Sequence, residues 1–243
     1  MRTLIGTTLL INQSKENSFN LDTILLSNFV NITFNAKKVI DLGCGNGAIS
    51  LYLSSKTTSK IIGIEIQNHL AQNAIQNVLC NNLNEQIEIV CNDIKKCYIE
   101  YRNIDCIVSN PPFFKVNAKT KTNELDEKSI ARHEVALNLD ELLEISSYML
   151  KTGGKLFMIH RPERLLEILD ISKRNRLAVK RIRFVHPYDN KNANHLLIEL
   201  HKDGKMELVI EPPLVLYEKK NDMTKELLNI YQNNNYRGGF KCY

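Results

Sequence analysis

The stretch VIDLGCGNGAIS, residues 39–50, is the part of the sequence that decides the fold. An apolar, β-branched run leads straight into three closely spaced glycines, and a segment with helical spacing follows them. Gly43, Gly45 and Gly47 permit a sharp turn and let the backbone approach a ligand where a Cβ atom would clash. The helix after the turn directs its free N–H groups toward the same place. The stretch therefore predicts a strand, a glycine turn and a helix that together form one side of a binding site.

Short β-branched runs alternate with helix-like segments along the rest of the chain. Strands are predicted at residues 38–42, 60–66, 86–91, 103–109 and 155–160. Helices are predicted at residues 19–30, 48–55, 69–83, 139–150 and 162–175, with Gly153-Gly154 as the stop signal of the fourth. Continuous apolar strands between helices are typical of a parallel sheet that is covered on both faces.

Two further strand-like segments, 179–187 and 195–203, flank a polar turn and predict an antiparallel pair at the sheet edge. The predicted fold class is therefore α/β: a Rossmann-like, seven-stranded, mostly parallel sheet with an antiparallel C-terminal hairpin and helices on both faces. We expect a single domain over residues 1–243, with an N-terminal helical extension at 15–35 and a C-terminal appendage at 205–243.

The composition of the 243-residue chain excludes several classes of protein. With 43% hydrophobic and 24% charged residues, it is neither collagen-like nor disordered. No apolar run approaches the roughly 20 residues that span a bilayer, and the first residues become polar too early for a signal peptide. We therefore expect a cytoplasmic protein without a membrane partner. The six cysteines are scattered and no histidines cluster at ligand spacing, which predicts free thiols and no metal. The formal net charge of +5 mildly favours an anionic partner. The sequence does not give the oligomeric state, for which a monomer is slightly favoured.

An acidic residue, Glu65, ends the predicted strand after the glycine turn. A carboxylate at this position accepts hydrogen bonds from the ribose hydroxyls of a nucleoside. This fits NAD and S-adenosylmethionine equally. Gly43, Gly45 and Ala48 also match the dinucleotide fingerprint G-x-G-x-x-A, so a nicotinamide dehydrogenase is a rival interpretation.

The pair Asn92 and Asp93 follows the third of these strands. Asp93 could accept the exocyclic amine of an adenine, with Asn92 beside it. The pair is also a typical helix cap for the segment that begins at Ile94. The two roles are compatible.

The motif SNPPFFK, residues 109–115, follows the fourth strand. Consecutive prolines remove two N–H donors and force Asn110 and Pro111 toward extended dihedral angles. The carbonyl groups there are left unpaired at the carboxyl edge of the sheet, where ligands of open α/β folds bind. Asn110 adds a side-chain acceptor, and Phe113 offers a face for stacking. The motif therefore predicts a receptor for a planar group that carries an NH₂, rather than a rigid turn with a core phenylalanine.

Together, DLGCGNG, GIEI, ND and NPPF resemble the class I S-adenosylmethionine-dependent methyltransferases that methylate amino groups. Dehydrogenases have no counterpart of NPPF after the fourth strand. The segments FNLDTILLSNF, 131–165 and RIRFVHP are further similar to the bacterial valine-tRNA adenine-N6 methyltransferases, which modify the adenine 3′ to the anticodon. The resemblance spans roughly residues 15–215.

The resemblance implies S-adenosyl-L-methionine as cofactor and tRNA as partner, and it assigns roles to particular residues. The residues implied for the cofactor are Asp41, Gly43, Cys44, Gly45, Asn46 and Gly47 on the methionine side, Glu65 and Ile66 at the ribose, Asn92 and Asp93 at the adenine, and Asn110. The residues implied for the target base, and hence for catalysis, are Asn110, Pro111, Pro112 and Phe113.

Contacts to RNA need a basic surface, and one run of the sequence is rich in cations without any acid. Between residues 173 and 183 these cations are Lys173, Arg174, Arg176, Lys180, Arg181 and Arg183. We expect them to contact phosphates, although such a run is often only a solvated face. Lys115, beside the NPPF motif, is a further candidate for RNA contact. Arg132 and His133 lie in ARHE, residues 131–134, which matches a signature of the family that the chain resembles. They are candidates for contact to the substrate, and an internal salt bridge is the alternative.

Other functions remain open from the sequence alone. Guanine N2 of ribosomal RNA and the glutamine amide of a protein also present an NH₂ on a planar group, so NPPF does not separate them from adenine. A rival of another class is an RNA-binding protein with a degenerate cofactor site. The intact Gly43, Gly45, Gly47, Glu65 and Asn110 favour an enzyme.

Overall fold

The computed structural model describes residues 1–12, 21–111, 137–220 and 222–233. The strands are β1 (Arg2–Thr3), β2 (Leu10–Ile11), β3 (Lys38–Leu42), β4 (Lys60–Glu65), β5 (Ile87–Cys91), β6 (Ile104–Ser109), β7 (Leu150–His160), β8 (Leu177–His186), β9 (His195–Lys202), β10 (Val209–Ile210), β11 (Leu214–Val215), β12 (Tyr217–Lys219) and β13 (Asp222–Met223). The α-helices are α1 (Leu21–Phe29), α2 (Ala48–Ser54), α3 (Asn68–Cys80), α4 (Ile94–Cys97), α5 (Leu139–Met149), α6 (Leu165–Arg174) and α7 (Lys225–Asn233).

The central sheet has the strand order β8-β9-β7-β6-β3-β4-β5. Strands β3 to β7 pair in parallel, and β9 runs antiparallel to both β7 and β8. These are the seven predicted strands, and the antiparallel hairpin is confirmed. The described sheet has two more strands than expected, because the chain after β9 returns along β8 and adds the two-residue strands β10 and β11.

The glycine pair at 153–154 does not stop a helix, as the sequence suggested. Helix α5 already ends at Met149, and both glycines lie inside β7. Strand β6 pairs Ile104 with Leu150 but Cys106 with Lys155, so β7 carries extra residues as a bulge. Gly153 has a φ of +76°, and a Cβ on Gly154 would lie 2.8 Å from the carbonyl oxygen of Ile104. The bulge therefore needs glycine at both positions.

Helices cover both faces of the sheet, as predicted. One face packs on α1 and α2 through residues such as Ile24 and Leu51, and the other on α5 and α6 through Leu142 and Ile168. The C-terminal segment joins the first of these cores, because Leu227 of α7 is fully buried in it.

Within the described ranges, no helix is long and apolar enough to cross a membrane. The same ranges contain no group of three His, Cys, Asp or Glu side chains that could hold a metal ion.

A nearly buried carboxylate, Glu199 of β9, lies at the centre of an ion-pair network on the sheet. Arg181 donates to it from Nε at 2.7 Å and also donates to the carbonyl oxygen of Phe29 at 2.8 Å. The same guanidinium stacks 3.8 Å from the centre of the Phe29 ring. His201 Nε2 lies 2.7 Å from the other oxygen of Glu199, and Lys155 lies 3.5 Å from it. The network ties the end of α1 to β8 and β9.

Replacing Glu199 with glutamine is expected to lower the free energy of unfolding by about 2 kcal/mol at neutral pH. Burial alone would raise the pKa of Glu199, but hydrogen bonds from His201 and Arg181 outweigh it and lower the pKa to about 2. The charged form is thus favoured in the folded state. Its stabilisation is complete above the unfolded value near 4.5 and is lost as the pH falls through about 2. Urea unfolding at several pH values should show the two proteins converging between pH 4.5 and 2. A constant difference across that range would contradict the assignment.

Candidate active site

The ends of four adjacent strands bring the predicted motifs into one row. The Ser109 hydroxyl, at the end of β6, donates to the carbonyl oxygen of Leu42, at the end of β3, at 2.9 Å. The residues that follow these two, Asn110 and Gly43, therefore begin the asparagine-proline turn and the glycine turn side by side. On the other side of β3, the strand-end residue Glu65 accepts at its backbone oxygen from the N–H of Asn92 at 3.0 Å. The row runs along the carboxyl edge of the parallel strands, where ligands of such folds bind.

The first two glycines of the turn have no close neighbour at the Cβ position in the described part of the chain. A Cβ on Gly43 or Gly45 would meet no atom of the described residues within 4 Å, and both residues have positive φ, +76° and +56°. A ligand can therefore approach the backbone closely at these positions. Gly47 differs, because a Cβ there would lie 3.2 Å from the Cβ of Ala74 in α3. Its small size lets α3 pack against the turn.

Glu65 is 5% exposed and holds the glycine turn as well as facing the site. Its Oε2 accepts from the N–H of Gly45 at 2.9 Å, and its Oε1 accepts from the N–H of Gln67 at 2.8 Å. Each carboxylate oxygen retains one lone pair. The carboxylate can thus bind a ribose hydroxyl while it fixes the position of Gly45. Beside it, Ile66 is 36% exposed, an apolar surface at the edge of the site.

Asp41 of β3 is completely buried behind the glycine turn. Its Oδ2 accepts from both the N–H and the hydroxyl of Ser50, at 3.0 and 2.7 Å. Its Oδ1 has no hydrogen-bond partner among the described residues. Burial raises the pKa of Asp41 to about 7, partly offset by the bonds from Ser50. A cationic group near Oδ1 would stabilise the charged carboxylate.

Asp93 caps helix α4, one of the two roles that the sequence left open. Its Oδ1 accepts from the N–H of Lys95 at 3.0 Å, and the pair with Asn92 follows β5 next to Glu65. This position is also compatible with the adenine contact, since the cap uses only one carboxylate oxygen. Among the remaining residues of the turn, Cys44 and Asn46 are nearly buried.

Asn110 and Pro111 are half-buried at the end of β6. No hydrogen bond joins the Asn110 amide to the described part of the chain. Its acceptor oxygen can therefore serve a substrate. The other predicted residues of this region, Pro112, Phe113, Lys115, Arg132 and His133, lie outside the described residues.

Two histidines at the same edge were not singled out from the sequence. His160 ends β7 and accepts at Nδ1 from the N–H of Arg161 at 2.8 Å. Burial lowers its pKa to about 4, so it is neutral at pH 7 with its proton on Nε2. His195 begins β9, and its Nε2 lies 3.0 Å from Oδ1 of Asp22 in α1. Both side chains stand at the carboxyl edge beyond Asn110. A polar residue at a strand end, the signal that identified Asn110, could have identified them.

Most cations of the basic run at 173–183 are already in ion pairs within the protein. Carboxylates from other parts of the chain pair with five of its six cations in the described structure: Asp140 and Asp170 with Arg174, Asp203 with Arg176, Glu207 with Lys180, Glu199 and Glu211 with Arg181, and Glu211 and Glu226 with Arg183. Arg181 and Arg183 are mostly buried, while Lys173 is exposed. The absence of acids within the run therefore did not exclude acids around it. Phosphate binding stays a prediction.

The strand order, the glycine turn after β3 and the acid at the end of β4 define the fold of a class I methyltransferase. The family model of the methyltransferase small domain matches residues 21–174. The chain therefore belongs to the methyltransferase small domain family.

Curated relatives carry a more specific name. The tRNA1(Val) (adenine(37)-N6)-methyltransferase of Cytophaga hutchinsonii is 28% identical over 184 residues, which are 75% of this chain and 75% of that protein. The protein of the same name from Shewanella halifaxensis is 30% identical over 178 residues, which are 72% of this chain and 70% of the relative.

Solved structures agree in fold. A predicted O-methyltransferase from Agrobacterium tumefaciens superposes with a TM-score of 0.69 at 19% identity, covering 88% of this chain and 97% of that one. TrmN from Thermus thermophilus superposes with a TM-score of 0.52 at 16% identity, covering 74% and 48%.

The cofactor of the protein is S-adenosyl-L-methionine, and the described residues fit it. None of the described residues crowds the backbone at Gly43 and Gly45, so a ligand can come close to it there. Oδ1 of Asp41, which no other described residue bonds, suits a cationic group such as the methionine ammonium. Glu65, one strand further along, suits the ribose hydroxyls. The rival dehydrogenase interpretation is thereby set aside.

Proposed function

We propose that the protein methylates the exocyclic N6 of an adenine in tRNA, namely adenine 37 of a valine tRNA. The observation that carries the proposal is the asparagine-proline turn at Asn110, which the bond between Ser109 and Leu42 fixes beside the glycine turn. The names of the curated relatives support the choice of adenine and of tRNA. A tRNA substrate also supports the expectation of a cytoplasmic enzyme.

The chemical difficulty lies in the target nitrogen, whose lone pair is delocalised into the adenine ring. When bound, S-adenosylmethionine supplies an electrophilic methyl group on its sulfonium. The Asn110 side-chain oxygen and a backbone carbonyl of the Asn110–Pro111 turn can each accept one N6 hydrogen. Two acceptors held off the ring plane localise the lone pair toward the methyl group.

The asparagine-proline turn therefore acts by positioning and by fixed dipoles, without a dedicated base. As the N–C bond forms and the S–C bond breaks, the nitrogen becomes cationic and its excess proton leaves to water. The target adenine must be unstacked from the RNA to reach the turn. We propose that Phe113 stacks on it there.

The proposal is tested by methylating bulk tRNA from a strain lacking the enzyme, with labelled cofactor, and digesting the product to nucleosides. Label in N6-methyladenosine is expected. Label in N2-methylguanosine, or in protein alone, would contradict it. Absence of transfer together with absent cofactor binding would indicate an RNA-binding protein with a degenerate site.

Replacing Lys173, Arg174 and Arg176 with glutamine should flatten the dependence of tRNA affinity on log salt by about 0.7–0.9 for each lost phosphate contact. These three cations are the more exposed ones of the basic run. Arg181 and Arg183 are left unchanged, because their ion pairs hold the fold. The measurement is tRNA binding between low and physiological salt, with cofactor affinity as the control. An unchanged salt slope would show that the run is only a solvated face.

A further inference from the structure

Two side-chain amides at the end of helix α3, those of Asn77 and of Asn81, which directly follows the helix, hold the N-terminal hairpin. Strand β2 pairs with β1 on one side, and its other edge faces Asn81. The N–H of Leu10 donates to Oδ1 of Asn81 at 2.7 Å, and Nδ2 of Asn81 donates to the Leu10 carbonyl at 2.7 Å. The Asn81 amide thus replaces a neighbouring strand.

One helical turn earlier, Asn77 repeats this pairing two residues further along the hairpin segment. Its Oδ1 accepts from the N–H of Asn12 at 2.6 Å, and its Nδ2 donates to the Asn12 carbonyl at 3.1 Å. Each amide makes a third hydrogen bond, but to a different carbonyl oxygen. Nδ2 of Asn81 also donates to the carbonyl of Asn77 at 2.7 Å, within the helix end, whereas Nδ2 of Asn77 also donates to the carbonyl oxygen of Asn46 at 3.0 Å. Asn46 lies between Gly45 and Gly47 in the glycine turn. A single side chain therefore joins the N-terminal segment to the cofactor turn.

Asn77 is fully buried, and its three hydrogen bonds occupy both protons of Nδ2 and the oxygen. Buried amides bonded on both sides are rigid, and removing one leaves its former partners without a bond. The contact acts on the peptide that precedes Gly47, where a Cβ would lie only 3.2 Å from the Cβ of Ala74 in the same helix. Helix α3 thus fixes the turn at two neighbouring points.

We propose that Asn77 is a positioning residue for the cofactor, held in place by Asn12 and acting through the carbonyl of Asn46. With Asn77 in place, Gly43 and Gly45 already have the backbone geometry that binds the cofactor while the site is still empty. Without it, the turn must be ordered during binding, which weakens affinity. This role concerns the cofactor turn and does not depend on which nucleic acid is the substrate.

The test compares Asn77→Ala with Asn81→Ala, because Asn81 holds the same hairpin without touching the turn. Calorimetry with S-adenosylhomocysteine should give about tenfold weaker binding for Asn77→Ala, the effect of losing one buried hydrogen bond of about 1.4 kcal/mol. Asn81→Ala should stay within about twofold of wild type by the same reasoning. Hydrogen exchange without cofactor should be faster at 45–48 in Asn77→Ala only. The KM for the cofactor should rise while kcat stays unchanged.

A milder variant keeps the test decisive if Asn77→Ala does not fold. Asn12→Pro removes the donor to Asn77 from an exposed residue and leaves α3 intact. Asn12→Pro should weaken cofactor binding about threefold. This is less than the effect of Asn77→Ala, because Asn77 keeps its other hydrogen bonds. The proposal would be overturned if Asn12→Pro binds the cofactor with wild-type affinity and Asn77→Ala either does the same or does not fold. An equal loss in Asn81→Ala would also overturn it, since the effect would then belong to hairpin docking alone.

Discussion

Replacing Asn110 with alanine should slow methyl transfer by about 10²–10³ while cofactor affinity stays near wild type. The Asn110 oxygen is proposed to accept a hydrogen of the attacking amine. That bond strengthens as the nitrogen gains positive charge, so it contributes mainly in the transition state. The effect should therefore appear in the single-turnover rate at saturating tRNA, and little in the binding of either substrate.

Asn110→Asp is the matched control, because it keeps an acceptor of the same size. It should retain more activity than Asn110→Ala if acceptance is the role. If Asn110→Ala transfers methyl at the wild-type rate, the turn is only a structural feature. The acceptors would then have to be sought elsewhere along the same edge.

Replacing Glu65 with alanine should weaken cofactor binding by about 1.5–3 kcal/mol, or roughly 10- to 150-fold, the range for a hydrogen bond to a charged group. The structure gives two reasons for a loss at the upper end. The carboxylate is proposed to hold the ribose hydroxyls, and it also accepts from the N–H of Gly45. Glu65→Ala therefore removes a ligand contact and loosens the glycine turn together.

Glu65→Gln separates the loss of the ligand contact from the loosening of the glycine turn. Its amide keeps one acceptor oxygen, but its NH₂ group replaces the other oxygen and faces a backbone N–H that needs an acceptor. Its affinity should lie between those of wild type and Glu65→Ala. Glu85→Ala removes an exposed carboxylate on the loop before β5 and controls for net charge. Calorimetry that gives the wild-type dissociation constant for Glu65→Ala would remove this residue from the site.

The sequence predicted the features that depend on local pattern. The β-branched runs, the glycine turn after β3 and the asparagine-proline turn after β6 each follow from the residues at those positions, and the parallel order brings their ends together. It could not predict the bulge of β7, because two glycines after a predicted helix are a typical stop signal. Only the pairing of β7 with Ile104 and Cys106 of β6 shows that the glycines lie inside a strand.

Pairings between distant residues were also hidden from the sequence. Arg181 looked like part of a free basic run because its partners, Glu199 and Glu211, lie 18 and 30 positions away. Asn77 looked like an ordinary polar residue of a helix. Its burial against Asn12, 65 positions away, depends on how the N-terminal hairpin docks. Such contacts are decided by tertiary packing, which residue spacing does not carry.

The central claim is that the methyl group goes to N6 of adenine 37, and mapping the product on defined transcripts tests it most directly. A valine tRNA transcript and its A37→G variant are incubated with enzyme and labelled cofactor, and the labelled ribonuclease fragment and nucleoside are identified. We expect N6-methyladenosine in the anticodon-loop fragment of the first transcript and no label in the second. Equal labelling of both transcripts, or label on another base, would contradict the account.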